Sequence, residues 1–260
     1  MSAPRGYRIK RMSRARLALA AGQNLASRRH LMYGLVEADL TIPRHLLRAH
    51  RERTGERLSL TAYVVTCLAT ALAEYPELNA FRRGRSLVFL DEVIIEVLVE
   101  RRIDGQPAVG YLPIRHANAT SLRDIHDQIR ASQASTDKTI AGQRWLELVP
   151  AFVAPLLMTW MQRSIGWGLR LGVAGVNNVG TANAAGWGLS PGAGTLGITL
   201  GGIAPRPRLV DGQLVEREIA HLTVTVDHDV VDGAPAARFT ARLLELLAAG
   251  ESVREAIAAS

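Results

Sequence analysis

From His221 to Asp227 (H-L-T-V-T-V-D) apolar and polar residues alternate with a period of two, the pattern of a half-buried strand. The period then changes. Ala234 to Ala249 (A-P-A-A-R-F-T-A-R-L-L-E-L-L-A-A) spaces its apolar residues as an amphipathic helix does, and Gly250 is placed to end it. The same reading upstream predicts a strand over Leu31–Thr41, and a helix capped by Ser59 that stops at Tyr75, before Pro76. Leu87–Leu90 and Val93–Val99 read as paired strands, and Ala108–Ile114 as another. Thr120 or Ser121 begins a helix running to about Ser135, with Asp124 placed to complete a capping box with Ser121. Asp211-Gly212, between R-L-V and Q-L-V, is a hairpin turn signal. Strands in hairpin-like or mixed order imply an α+β fold.

No Ser/Gly/Pro-rich linker and no fixed-period repeat divides the chain, so residues 30–260 are expected to form a single domain. Residues 1–29 are basic with a helical tendency, a segment expected to pack on the core or on a neighbouring protomer. Residues 145–161 (W-L-E-L-V-P-A-F-V-A-P-L-L-M-T-W-M) are the most apolar stretch. Glu147, Pro150 and Pro155 interrupt it, and it is short for a membrane span, so a kinked helix against the core or a partner is the expectation.

Composition narrows the function more than the fold. With 48% apolar residues in 260, the chain has ample material for a core. Cys67 is the only cysteine and lies in an apolar run, which excludes a disulfide framework and a cysteine-based metal site; it reads as a buried small hydrophobe. No apolar leader follows the basic start, so a cytoplasmic location is expected. The net charge is +7, carried almost wholly by arginine, since only Lys10 and Lys138 are lysines. Such an excess favours anionic partners: nucleic acid, an acidic carrier protein or a phosphate-bearing cofactor. Few aromatic residues and no zinc-finger, RNP-type or basic-zipper pattern argue against nucleic acid. The glycine-rich stretch Gly186–Gly202 lacks the Lys-Ser/Thr of a phosphate-binding loop and reads as tight backbone packing around a channel.

The candidate chemistry sits where the two periods meet. His228-Asp229-Val230-Val231-Asp232-Gly233 joins the predicted strand to the predicted helix. A histidine at a strand end, braced by a carboxylate one turn later, is a candidate general base, because imidazole exchanges a proton near neutral pH. Gly233 is read as permitting the tight turn. His45 and His50 fall in a basic helical stretch, His116 and His126 share no metal-ligand spacing, and His221 begins a strand; no metal site is indicated.

Several segments together resemble the catalytic domain of dihydrolipoyl acyltransferases, which share a fold with chloramphenicol acetyltransferase. Asp227–Phe239 (D-H-D-V-V-D-G-A-P-A-A-R-F) is similar to that family's D-H-R-x-x-D-G-A-x-x-A-x-F signature. Leu58–Ala80 is similar to its helix ending in H-P-x-L-N, and Tyr111–Arg115 (Y-L-P-I-R) to its V-P-V-I-R strand. Val176–Gly180 (V-N-N-V-G) stands where the family has I-S-N-L-G, and Leu189-Ser190-Pro191 where it has F-T-P. The resemblance covers most of residues 8–248.

It implies a mixed β-sheet with flanking helices, a homotrimer, and an active channel between neighbouring protomers. It also implies that His228 takes the proton from an acceptor thiol or hydroxyl, which attacks a thioester directly. Asp232 would pair with an arginine and hold the local backbone. Asn177 stands at the position of the family serine that stabilises the oxyanion, and Ser190 is a second candidate there.

The departures shift the expected substrate. The chain shows no lipoyl or subunit-binding domain, and Asp137-Lys138-Thr139 only superficially resembles a lipoyl-attachment tip, so no covalently bound lipoyl group is expected. Its last residues are too polar for the tail that builds cages. The resulting expectation is a stand-alone acyltransferase moving an acyl group, with acetyl the expected one, from acetyl-CoA or another acyl-CoA to a hydroxyl of a small-molecule acceptor. Stand-alone relatives act in natural-product pathways such as tetronate biosynthesis, where an acyl carrier protein is a candidate partner. A dihydrolipoamide acyltransferase core served by another chain's lipoyl domains, and a catalytically silent trimeric scaffold, are the alternatives.

Overall fold

The computed structural model describes residues 29–103, 106–135, 164–180, 186–190 and 194–259, with positions 153, 156, 157, 160 and 192. The expectations for residues 1–28, for Asp137-Lys138-Thr139 and for most of the apolar stretch 145–161 lie outside the described residues.

The organising element is a six-stranded mixed sheet. Its strands are β1 (Leu31–Asp39), β4 (Ile95–Ile103), β5 (Gln106–Ile114), β6 (Ala174–Asn178), β7 (Leu196–Val210) and β8 (Gln213–Asp227), in the order β1-β8-β7-β6-β4-β5. β1, β8 and β7 are mutually antiparallel, β6 runs parallel to both its neighbours β7 and β4, and β5 closes the edge antiparallel to β4. A separate two-stranded ribbon pairs β2 (Ala80–Arg83) with β3 (Ser86–Phe89). This corrects the expected pairing of Leu87–Leu90 with Val93–Val99. The ribbon closes on Gly84, whose φ of 63° suits a tight turn, while the downstream strand joins the main sheet. The Asp211-Gly212 signal does form the β7–β8 turn, with φ of 49° and 79° at its two residues, the twist that a two-residue hairpin needs.

The helices are α1 (Thr41–Thr54), α2 (Leu60–Glu74), α3 (Leu122–Ala134), α4 (Ile165–Leu171), α5 (Gly233–Ala249) and α6 (Glu251–Ala258). α2 is the core helix: Tyr63, Val64, Val65, Leu68 and Leu72 are buried, leaving little polar face. Its cap is as predicted, with Ser59 Oγ accepting the Ala62 N–H at 3.3 Å. Ser121 caps α3 in the same way, and donates its hydroxyl to the Asp124 carboxylate at 2.7 Å. Cys67 is buried in the α2 core, and burial pushes its thiol up to about 12, which keeps it an inert thiol.

The apolar side of the sheet, including Val97, Val176, Ile198, Leu222 and Val224, forms one cluster with α2 and Phe239 and Leu243 of α5. Tyr63 fixes α5 to α2: its hydroxyl lies 2.9 Å from the Leu246 carbonyl and 2.8 Å from that of Leu247, and accepts the Gly250 N–H at 3.1 Å. These contacts fix the last turn of α5, the end of the helix away from the candidate catalytic turn.

The expected half-buried strand proves buried on both faces. Every residue from Ile219 to Asp227 is buried. Of the polar set His221, Thr223 and Thr225, the first and last are covered by residues 186–190. Gly186 N–H donates to His221 Nδ1 at 3.0 Å, Trp187 lies over the His221 ring with centroids 4.1 Å apart, and Thr225 Oγ1 donates to the Ser190 carbonyl at 3.2 Å. His221 therefore sits within a long strand rather than at its start. The glycines permit this cover, since a Cβ on Gly201 would approach the Gly186 carbonyl to 2.3 Å, and one on Gly188 would approach Val179 to 2.4 Å.

Candidate active site

β8 ends at Asp227, and residues 228–230 turn the chain into α5. The turn is closed from within: the Asp227 carbonyl accepts the Val230 N–H at 3.0 Å and the Val231 N–H at 3.1 Å, and its carboxylate accepts the Asp229 N–H at 3.0 Å. Gly233 is not what permits it. That residue is the first of α5, is not among the positive-φ glycines, and has open space where a Cβ would stand.

His228 is held by its backbone, whose N–H donates to the His30 carbonyl at 2.8 Å. Its ring is 51% exposed, with Nδ1 3.8 Å from Asp232 Oδ1, a distance too long for a hydrogen bond. Asp232 occupies the N-cap position of α5 without making a capping hydrogen bond and is 85% exposed. The arginine expected at Asp232 is found at its neighbours instead. Arg82 donates to Asp229 at 2.7 Å, and Arg29 lies 3.9 Å from Asp227 while donating to the Gly194 carbonyl at 2.5 Å. Two carboxylates flanking His228 thus carry the charge pairing that brings β1, β2 and the segment before β7 together around the turn.

Sequence reasoning missed His30. Its Nδ1 meets Asp229 Oδ1 at 2.9 Å, and the ring is 78% exposed. His30 first and Arg82 second hold the Asp229 carboxyl below the ordinary carboxylate range. An imidazole oriented through one nitrogen by an ion-paired carboxylate therefore stands beside His228. Asp229 lies inside the quoted motif, so the available signal was the extra carboxylate in D-H-D.

Asn177 lies near the far end of β6, on the sheet face opposite the helices. It pairs with Thr199 of β7, which pairs with Thr223 of β8. From Thr223 to Asp227 the strand advances roughly 13 Å, and two strand spacings separate β6 from β8 by about 10 Å. Within one protomer Asn177 and His228 therefore cannot act on the same thioester carbon. Asn178 points to the helix side, where its amide donates to Thr61 at 3.0 Å and its side-chain oxygen accepts the Gly180 N–H at 3.1 Å. Ser190 lies over Thr225, closer to the His228 end.

A second omission is Glu96. It lies on the same sheet face as Asn177, 5% exposed, and burial pushes its carboxyl up to about 7. A charge inside the apolar run I-I-E-V-L-V was the signal. Among the described residues no three or more His, Cys, Asp or Glu side chains converge as a metal ion requires, and no helix is long and apolar enough to cross a membrane.

The sheet order, the core helix against one face and the strand-turn-helix carrying His228 define a chloramphenicol acetyltransferase-like fold, the fold of dihydrolipoyl acyltransferase catalytic domains. The family described as 2-oxoacid dehydrogenases acyltransferase (catalytic domain) matches residues 177–253, a span that holds Asn177, His228 and Asp232. Over 221 residues the chain is 25% identical to the lipoamide acyltransferase component of the branched-chain alpha-keto acid dehydrogenase complex of Pseudomonas putida, covering 84% of this chain and 46% of that protein. The chain thus spans about half the length of this curated relative.

Among solved structures, a probable dihydrolipoamide acetyltransferase from Listeria monocytogenes superposes with a TM-score of 0.72 at 18% identity, covering 94% of this chain and 96% of the other. The cubic core of a pyruvate dehydrogenase multienzyme complex gives 0.69 at 18% identity, with 97% of each chain covered. Chloramphenicol acetyltransferase gives 0.52 at 12% identity, over 93% of this chain and 98% of that one.

Proposed function

We propose that this protein is an acyltransferase that moves an acyl group from acyl-CoA to a hydroxyl of a small molecule, working as a trimer. The observation that carries the reading is the half-exposed His228 on a backbone-anchored turn, within the span that matches the acyltransferase family. His228 takes the hydroxyl proton as the acceptor oxygen attacks the thioester carbonyl. A carbon–oxygen bond forms, the carbon–sulfur bond breaks, and the imidazolium returns the proton to the departing thiolate.

The negative charge that develops on the carbonyl oxygen needs a preorganised donor. The Asn177 side-chain amide supplies one without having to lose a proton. The separation within one chain requires that Asn177 and His228 come from different protomers, so the active channel forms only on assembly. The basic surface suits the phosphates of CoA.

The second reading, a dihydrolipoamide acyltransferase core, is favoured by the named activity of the Pseudomonas putida relative. Thiol release from acetyl-CoA, followed with a panel of alcohols and with dihydrolipoamide, separates the two. His228→Ala is expected to lower turnover at least ~100-fold. Unchanged turnover would remove His228 from the mechanism, and absence of thiol release with every acceptor would favour a silent scaffold.

A further inference from the structure

We propose that Glu96 is the recognition group of an acceptor subsite beside Asn177, and that the acceptor it takes is an amino alcohol, bound by its ammonium group and acylated on its hydroxyl. This rests on the acyltransferase reading above for the transfer step, but not for the binding itself.

The subsite is built on the sheet face away from the helices. Glu96 of β4 pairs with Gly175 of β6 and with Pro113 of β5. Ile95, Val97 and Val99 belong to the apolar core, so the alternation of the strand directs Glu96 to the opposite face. Asn177 lies on that same face two residues beyond Gly175, and the strand spacing and rise of this parallel pair put it about 8 Å diagonally from Glu96. Tyr111 of β5 is near enough that Glu96, after burial itself, raises its phenol. Gly175 puts no side chain between these groups, and a Cβ there would lie at ordinary contact distance from the Glu96 carbonyl, 3.4 Å, and from the Glu96 Cβ, 4.0 Å.

The Glu96 carboxyl makes no hydrogen bond or ion pair with a described residue, and burial alone accounts for its shift to about 7. A carboxylate only accepts hydrogen bonds, and buried without a partner it is disfavoured against its protonated form. An ammonium ion answers both deficits, since it brings positive charge and three donors. A neutral hydroxyl brings one donor and no charge. The subsite therefore selects cations. When Glu96 holds a proton, binding the ammonium releases that proton to solvent and leaves the ion pair.

The diagonal spacing sets the length of the acceptor, because a few bonds between nitrogen and oxygen carry the hydroxyl to the Asn177 end. There the acyl carbon moves from sulfur to that oxygen, the hydroxyl proton passes through His228 of the neighbouring protomer to the CoA thiolate, and the ammonium is unchanged.

The test compares 3-aminopropan-1-ol with its neutral isostere butan-1-ol, on the full chain in its native assembly. With acetyl-CoA, wild-type kcat/KM is expected to be at least about tenfold higher for the amino alcohol. E96Q should bring that ratio close to one. G175A, which sets a methyl at contact distance beside Glu96 and keeps the carboxyl, should lower it as well. A wild-type ratio near one, or a ratio that E96Q leaves unchanged, overturns the proposal.

Saturation-transfer NMR with the same two compounds needs no turnover. Transfer to the amino alcohol that disappears in E96Q supports the subsite even if no thiol is released, in which case the acyltransferase reading alone falls. No transfer with wild type overturns the subsite even if other alcohols are acetylated. If a basic side chain of a second copy occupies Glu96 instead, E96Q loosens the assembly in native mass spectra and the amino alcohol shows no Glu96-dependent transfer, which also overturns it.

Discussion

The two faces of the central sheet are built from the same strands and differ in what closes them. On one face Val97, Val176, Ile198, Leu222 and Val224 meet α2 and α5 in a dry apolar cluster. On the other, Glu96, Thr199, His221, Thr223 and Thr225 are just as buried, yet polar. The first face is explained entirely by packing. The second is covered in part by residues 186–190, and its end at Glu96 and Asn177 carries polar groups that the described residues leave without partners. A buried polar face on an otherwise well-packed sheet marks where the molecule has chemistry or a second subunit to accommodate.

Adjacent residues of β8 offer the sharpest way to break that comparison. Leu222→Ala opens a cavity on the helix side and should cost about 2–5 kcal/mol in denaturant unfolding. A loss well below that would mean the apolar face is not the structural one.

Stability against pH should show the next largest effect, and it belongs to the polar face. The Glu96 carboxyl is raised from 4.5 to about 7, so the folded state holds its proton more tightly than the unfolded state does. The associated stabilisation is complete below about pH 4.5 and is lost as pH rises through about 7, with an amplitude on the order of 3 kcal/mol. E96Q should flatten that stretch of the profile, as chemical denaturation across pH 4 to 8 would reveal.

Asp229→Asn weakens the contacts that orient His30 and Arg82 beside His228, and turnover should fall about tenfold, less than for His228→Ala. An undiminished rate would assign the cluster to the fold alone. Smallest of all, Thr223→Val removes a buried hydroxyl that has no hydrogen-bond partner, and should be neutral or slightly stabilising. Together with Leu222→Ala it sets neighbours on opposite faces against each other.

What was legible in the sequence followed from local rules. Ser59 and Ser121 as caps, Asp211-Gly212 as a hairpin turn and Gly250 as a helix end each depend on a few consecutive residues, and each is found in place. The partner of β3 was misread because strand pairing is a long-range choice that neighbouring residues do not encode. Burial of His221–Asp227 on both faces was equally out of reach, since alternation reports polarity and not what covers the polar side. At the site, the motif pointed to His228 and Asp232, but the arginines of the turn come from residues 29 and 82, far away along the chain. Glu96 was overlooked because one carboxylate in an apolar strand has meaning only once its neighbours on the sheet are known.

The hydrogen bond from the His228 amide to the carbonyl of His30 ties the imidazole's turn to the very start of β1. Clipping the polypeptide just after residue 30 would leave every sheet pairing from Leu31 onward intact while cutting this tether. Such a shortened protein should lose rate, because the side-chain contacts of Arg29 with Asp227 and of His30 with Asp229 go together with the tether.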